Sequence, residues 1–440
     1  MRIDAVRLRV AFGLAALLGA AAVVLGGGGT GGTPLGGALA DPGEDLPRLV
    51  EEFAGGSSRA VVRRLEFRAS ETPDARSLAL LGLGYQQLAR ETGDASWLAR
   101  STEALRRARD VSPEDALALA ASAQLSVTQH RFREGEKLAR QALESDRRDA
   151  LALAALGDAL VALGRHREGF RAYDRLAALG PGVGAYARVA TARQLLGRPM
   201  AALDAMELAL EAGSGIPEQE AWALTRYAVL LVAADRLDEA EDALWRALRL
   251  VPGYLHAEAG LARVAAARGD FGRSSARLRS VVDGLPLPEY AILLGDTLAR
   301  DGRPPEARRA YRLVRTLEAL LGAGGVRTEL QTALFDLDRG ARPADALARA
   351  RAAYQAAPGL AAADAVAWGL TRTGRCRAAR AWSQRALALG TDDGLFLFHR
   401  GMIERCLAGD AAGRPWFRRA LEANPTFSLR WAPLAEQLAR

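Results

Sequence analysis

Prolines recur along this chain on a fixed stride, and that stride constrains the fold more than any other feature. Pro252 and Pro286 lie 34 residues apart, and Pro113 and Pro181 lie 68 apart. Pro181 to Pro252, Pro286 to Pro358 and Pro358 to Pro425 span 71, 72 and 67 residues, each close to a doubled stride with a small loop change. Other residues keep step with the prolines. Gly157 is followed after seven residues by Gly164, nine more reach Tyr173, and eight more reach Pro181. Ala228, Asp235, Leu244 and Pro252 repeat that spacing, as do Ala262, Gly269, Leu278 and Pro286. A period of this length marks stacked units that share one continuous core. A chain of 440 residues is too long for a single ordinary core, which agrees with that reading.

Within a unit the spacing predicts two helices. Leu153, Leu156 and Leu160 recur at helical steps. Gly164 stops that helix, since a left-handed cap suits glycine. A second helix runs to about Leu179, with Gly180-Pro181 as its stop. Gly157 and Gly169 are placed where the two helices cross, allowing their backbones to approach. Such a pair cannot bury its apolar face alone, so neighbouring pairs must stack.

These features resemble the tetratricopeptide repeat, whose consensus pattern is carried by Leu156-Gly157 and by Ala228, Ala240, Ala247 and Pro252. The resemblance implies an all-α fold, a right-handed α-solenoid of about ten helix-turn-helix units over residues 75–425. Residues 44–74 are expected to supply N-terminal capping helices. Residues 426–440 read as a closing helix, with Leu429, Trp431, Leu434 and Leu438 on one face. Several units depart from the pattern. The first stretches its inner turn around Glu91 to Trp97, and the unit after Pro286 runs into an insertion, Gly322 to Val326. Arg147 and Thr391 stand where prolines are expected.

The amino terminus reads as a targeting segment. Arg2, Arg7 and Arg9 precede an apolar run from Val10 to Leu25, and a Gly-rich tract follows, ending in Ala38-Leu39-Ala40. The run makes about 24 Å of helix, short of the roughly 30 Å hydrocarbon core unless Gly26 to Gly29 extend it. One expectation is a single-pass membrane anchor over residues 1–25, a flexible linker over residues 26–43, and a repeat array outside the cytoplasm. The alternative is secretion after cleavage following Ala40. A cytoplasmic chain with an apolar first helix is the bland reading.

Composition narrows the function classes. Net charge is +7, but Lys137 is the only lysine among 59 basic residues, and no run of like charge marks a phosphate-binding face. Nucleic acid is therefore not an expected partner. His130, His166, His256 and His399 have no second ligand three or four residues away, so no metal and no cofactor is expected. No nucleophile motif and no acid–base pair stands out, so the chain reads as no enzyme.

The resemblance implies that first helices of successive units line a concave groove holding an unidentified protein or peptide segment. Carried onto this chain, the exposed groove positions are Trp222, Thr225, Val229, Arg263, Asp296, Arg300, Trp368, Arg372 and Arg405. Tryptophan and arginine often dominate binding interfaces. The family's lysine–asparagine clamp for a terminal carboxylate cannot be assembled here, because Asn424 is the only asparagine and lies beyond the groove helices. In stacked hairpins Cys376, starting a second helix, should meet Cys406, near the end of the next first helix. They either form a disulfide or line one layer as two small apolar residues. The expected function is a non-catalytic interaction scaffold of the cell envelope, with a cytoplasmic regulatory adaptor as the alternative.

Overall fold

First and second helices of each unit are built from different sequences, and the difference sets the architecture. A first helix such as ALALAALGDALVA, Ala150–Ala162, is apolar on every side and is buried nearly throughout. A second helix such as HREGFRAYDRLAAL, His166–Leu179, buries only the stripe Gly169, Ala172, Tyr173 and Leu176. A helix that is apolar all round needs neighbours all round, whereas a striped helix needs them on one side. First helices therefore occupy the inside of a stack and second helices its outer layer.

The computed structural model describes residues 58–213 and 215–440. Among these described residues there are 22 helices and no strand. Helix α1 (Ser58–Glu71) precedes ten hairpins. The first five are α2 (Ala75–Thr92) with α3 (Ser96–Val111), α4 (Ala116–Thr128) with α5 (Phe132–Ser145), α6 (Ala150–Ala162) with α7 (His166–Leu179), α8 (Val183–Leu195) with α9 (Pro199–Ala212), and α10 (Pro217–Ala233) with α11 (Leu237–Leu250). The next five are α12 (Leu255–Ala267) with α13 (Phe271–Gly284), α14 (Pro288–Arg300) with α15 (Pro304–Ala323), α16 (Glu329–Arg339) with α17 (Pro343–Ala356), α18 (Leu360–Arg372) with α19 (Cys376–Ala386), and α20 (Gly394–Ala408) with α21 (Asp410–Ala423). Helix α22 (Ala432–Leu438) follows them. Each hairpin packs on the next, so the described residues form an all-α solenoid of repeated helix hairpins.

Local chemistry explains the boundaries. Asp74, Asp115 and Asp149 cap first helices, accepting backbone N–H bonds from Ser77, Ala118 and Ala152 at 2.7–2.8 Å. Within a hairpin, the bulk of one helix fits the space left by a glycine on the other. A Cβ on Gly157 would lie 2.6 Å from Tyr173 Cδ1, and one on Gly169 would lie 3.0 Å from the Gly157 carbonyl oxygen. The two backbones therefore cross in contact at this point.

The solenoid also closes on itself. Gln129 Nε2 donates to the carbonyl of Gly324 at 2.9 Å across 195 residues. The Arg327 N–H donates to the carbonyl of Gln129 at 3.1 Å. His130 Nδ1 donates to the carbonyl of Arg327 at 2.6 Å across 197 residues. Further along, Gly164 abuts Pro358, and Gly197 abuts Gly390. Successive coils of the superhelix thus touch along a seam. The stretched turn near Gly93 packs against Leu285 and Leu287, and the insertion at Gly324 packs against Ala95. Both departures from the stride are seam contacts.

A prediction follows from two equivalent turns. Gly164 (φ 73°) and Gly269 (φ 81°) both occupy the left-handed position between first and second helices. A Cβ at Gly164 would meet the Pro358 carbonyl oxygen at 2.5 Å, whereas nothing lies within 4 Å of one at Gly269. Gly269→Ala should cost only the backbone strain, about 1–2 kcal/mol. Gly164→Ala should cost roughly 1–3 kcal/mol more, through crowding of the seam. Denaturant unfolding of the two variants checks this, and equal losses would show that the seam contributes nothing.

The expected membrane anchor, linker and cleavage site lie outside the described residues. Among the described residues, no helix is long and apolar enough to cross a membrane.

Candidate functional site

The nine groove positions do not form one open surface. Trp222 and Thr225 are 8% and 9% exposed, and Trp368 is fully buried. These three correct the expectation of exposed groove side chains. Trp222 packs between hairpins among Val183, Ala187 and Leu224, while the Thr225 hydroxyl turns back to the Ala221 carbonyl at 2.9 Å. Trp368 stacks on His399 with ring centroids 4.3 Å apart, and Trp431 from the closing segment meets its edge at 5.7 Å. The physical reason is curvature. The coil is wound tightly enough for inner positions of adjacent hairpins to pack on each other.

Asp296 is likewise committed within the chain. It accepts from Tyr311 Oη at 2.7 Å and from Arg339 at 2.8 Å. The same arrangement occurs at Asp158, which accepts from Tyr173 Oη at 2.9 Å and from Arg188 at 2.7–3.2 Å. In both, a Gly-Asp pair on a first helix is followed 15 residues after the aspartate by a tyrosine, and the next hairpin supplies the arginine. Burial opposes the Arg188 charge, but Asp158 beside it outweighs that and holds the guanidinium above its ordinary range. These pairs bolt one hairpin to the next. Val229 is half-buried, and exposed Arg300 lies over the Phe271 ring at 5.2 Å.

Three of the nine positions do converge, while half-buried Arg263 lies apart from them. Trp368, Arg372 and Arg405 line one pocket of about 440 Å³ on the inner face of α18 and α20, together with Thr371, Met402, Cys406 and Asp410. Trp368 forms its floor. The exposed Arg372 guanidinium stands 5.4 Å above the Trp368 ring, and no carboxylate among the described residues pairs with it. Arg405 bonds to Asp410, whose side chain is 64% exposed. A disulfide joins Cys376 to Cys406, with Cα atoms 6.2 Å apart. It ties the start of α19 to the last turn of α20 at the pocket wall.

Thr371, Met402 and Asp410 were not singled out from sequence. Thr371 and Met402 face the pocket one helical turn from Trp368 and Arg405, so their register was the available signal. Asp364 and His399 were also missed as a pair. His399 Nδ1 lies 2.8 Å from Asp364 Oδ2, and both side chains are fully buried. They are 35 residues apart, about one stride, which places them side by side on adjacent first helices. Sealed from solvent, this pair serves packing and offers no reachable acid or base. Among the described residues no three His, Cys, Asp or Glu side chains are grouped to hold a metal ion.

No family model and no curated protein matches the chain. Solved structures do resemble it in shape. A tetratricopeptide repeat protein from Parabacteroides merdae is 18% identical, with 55% of this chain and 98% of that one covered and a TM-score of 0.40. PilF of Pseudomonas aeruginosa is 20% identical, with 48% and 92% covered and a TM-score of 0.35. The human IFIT1 dimer with PPP-AAAA is 12% identical, with 87% and 95% covered and a TM-score of 0.45.

Proposed function

We propose that this chain is a non-catalytic interaction scaffold that holds a peptide or protein segment in the pocket between α18 and α20. The observation that carries the reading is the pairing of an exposed arginine, Arg372, with a second one, Arg405, whose carboxylate partner among the described residues, Asp410, is at the surface. An exposed ion pair contributes little, so an incoming carboxylate displaces Asp410 from Arg405 at small cost. Arg372 above the Trp368 ring offers a flat, positively charged lip to the same segment. The pocket volume suits one or two anchoring side chains rather than a whole domain. Elsewhere several inner-face arginines are bonded to carboxylates of the chain itself, Arg90 to Glu218, Arg188 to Asp158, Arg339 to Asp296 and Arg400 to Glu404, which leaves rigidity as their contribution.

The proposed setting is the cell envelope, on the strength of the amino-terminal arginines and the apolar run that follows them. Fractionation that finds the full chain in the soluble cytoplasm would replace this with the adaptor reading. For the pocket, a photo-crosslinking residue at Met402 should capture a partner that the same residue at exposed Arg64 on α1 does not. Arg372→Ala with Arg405→Ala should reduce that capture about tenfold or more. Capture unchanged by the double substitution would remove the pocket from the interaction.

A further inference from the structure

Helix α10 is longer than the first helices on either side of it, with 17 residues against 13 in α8 and in α12. Both α10 and α12 end five residues after their matching stride positions, Ala228 and Ala262, so the surplus turn sits at the start of α10, in residues 217–220. It belongs to the unit whose proline spacing, Pro181 to Pro252, is stretched to 71 residues. The Gly215 N–H donates to Glu220 Oε1 at 3.1 Å, which ties the connecting loop to this turn. Beside it, between the α8–α9 and α10–α11 hairpins, lies a cavity of about 330 Å³. Val183 and Leu224, both buried, form its inner wall, and half-buried Leu210 and exposed Leu250 line its mouth.

Arg246 and Arg249 line the same cavity, three residues apart and so on one side of α11. Both are exposed, and neither has a hydrogen bond or ion pair to a carboxylate among the described residues. Glu220 is the single acid on the lining, which leaves one surplus positive charge there. A monoanion meets that surplus, whereas a dianion would also face Glu220. A guanidinium fork matches the flat geometry of a carboxylate. The rest of the lining is aliphatic, with no aromatic ring to stack on, which favours a flexible alkyl chain. The volume stands at the lower end of the roughly 300–1,000 Å³ common for small-molecule sites. We infer that this cavity binds a straight-chain carboxylate of medium length, its head on Arg246 and Arg249 and its tail against Val183, Leu210, Leu224 and Leu250. Most of the affinity comes from the tail, since an ion pair in contact with solvent contributes little. The site lies on different hairpins from the pocket between α18 and α20, and it stands whether or not that pocket binds a peptide.

The test uses the full chain, with octanoate, hexanoate, octylammonium and octyl phosphate titrated calorimetrically at constant ionic strength. Wild type should bind octanoate at one site, with hexanoate weaker by roughly tenfold or more for its two missing methylenes. Octylammonium and octyl phosphate should both bind more weakly than octanoate. Arg246→Gln with Arg249→Gln should weaken octanoate about fivefold and leave the melting temperature of the free protein unchanged, because both side chains are exposed. Leu210→Trp, which fills the mouth and keeps both arginines, should abolish binding, so attraction to a basic surface alone is told apart from the cavity. Arg372→Ala with Arg405→Ala should bind octanoate as wild type does. The inference is overturned by folded wild type that ignores millimolar octanoate, by equal affinity in the glutamine variant, or by binding that survives Leu210→Trp. It is overturned equally by loss of binding in the Arg372 and Arg405 variant, which would move the ligand to the other pocket. Tighter binding of octyl phosphate, or of a short peptide ending in leucine, would assign the cavity to a different ligand class and sink the proposal.

Discussion

Replacing Asp158 with alanine is expected to cost roughly 3–5 kcal/mol of stability, the usual consequence of stripping a buried arginine of its carboxylate. Arg188 and Asp158 side chains are 3% and 2% exposed, and three of their hydrogen bonds lie between 2.7 and 3.2 Å. The substitution also leaves the Tyr173 hydroxyl without its acceptor. Asp158→Leu combined with Arg188→Leu should recover much of the loss, because two apolar groups need no partners. Tyr173→Phe, which removes a single hydrogen bond, should cost only about 1 kcal/mol. Denaturant unfolding followed by circular dichroism measures all three. A loss below about 1 kcal/mol for Asp158→Ala would mean that the pair is solvated and that hairpins are held together by apolar contact alone.

Removing the disulfide is the second large effect. Cys376 and Cys406 are 30 residues apart, and a closed loop of that length restricts the unfolded chain by about 3–4 kcal/mol. Cys376→Ser with Cys406→Ser should lower stability by that amount, with the loss confined to the last two hairpins. Reductant should lower wild type to the level of the variant and leave the variant unchanged. A reductant with no effect on oxidised wild type would sink the prediction. Because Cys406 is part of the pocket wall, reduced protein should also lose the Met402 crosslink to its partner.

The hairpins were legible in the sequence because each is specified locally. Gly157 opposite Tyr173, the turn at Gly164 and the striped second helix all lie within one stride, where periodicity carries the information. Trp222, Thr225 and Trp368 were misplaced because exposure on a first helix depends on how sharply the stack curves. Curvature is set by packing between hairpins and by seam contacts such as Gln129 with Gly324, which lie 195 residues apart. No local pattern records a contact at that distance. The stretch at Glu91 to Trp97 and the insertion at Gly322 to Val326 looked like decay of the repeat, yet both supply residues to the seam. Asp296 looked free because its partners, Tyr311 and Arg339, come from two other helices.

An open solenoid behaves like a loose spring, and pulling on its ends only changes its pitch. Here a backbone bond and two side-chain bonds stitch one coil to the one above it at Gln129, His130, Gly324 and Arg327. Tension along the axis must part those stitches before any hairpin can be peeled away. The molecule therefore transmits force between its two ends as a stiff tube would, with a yield point fixed by a handful of residues that the repeat itself does not require.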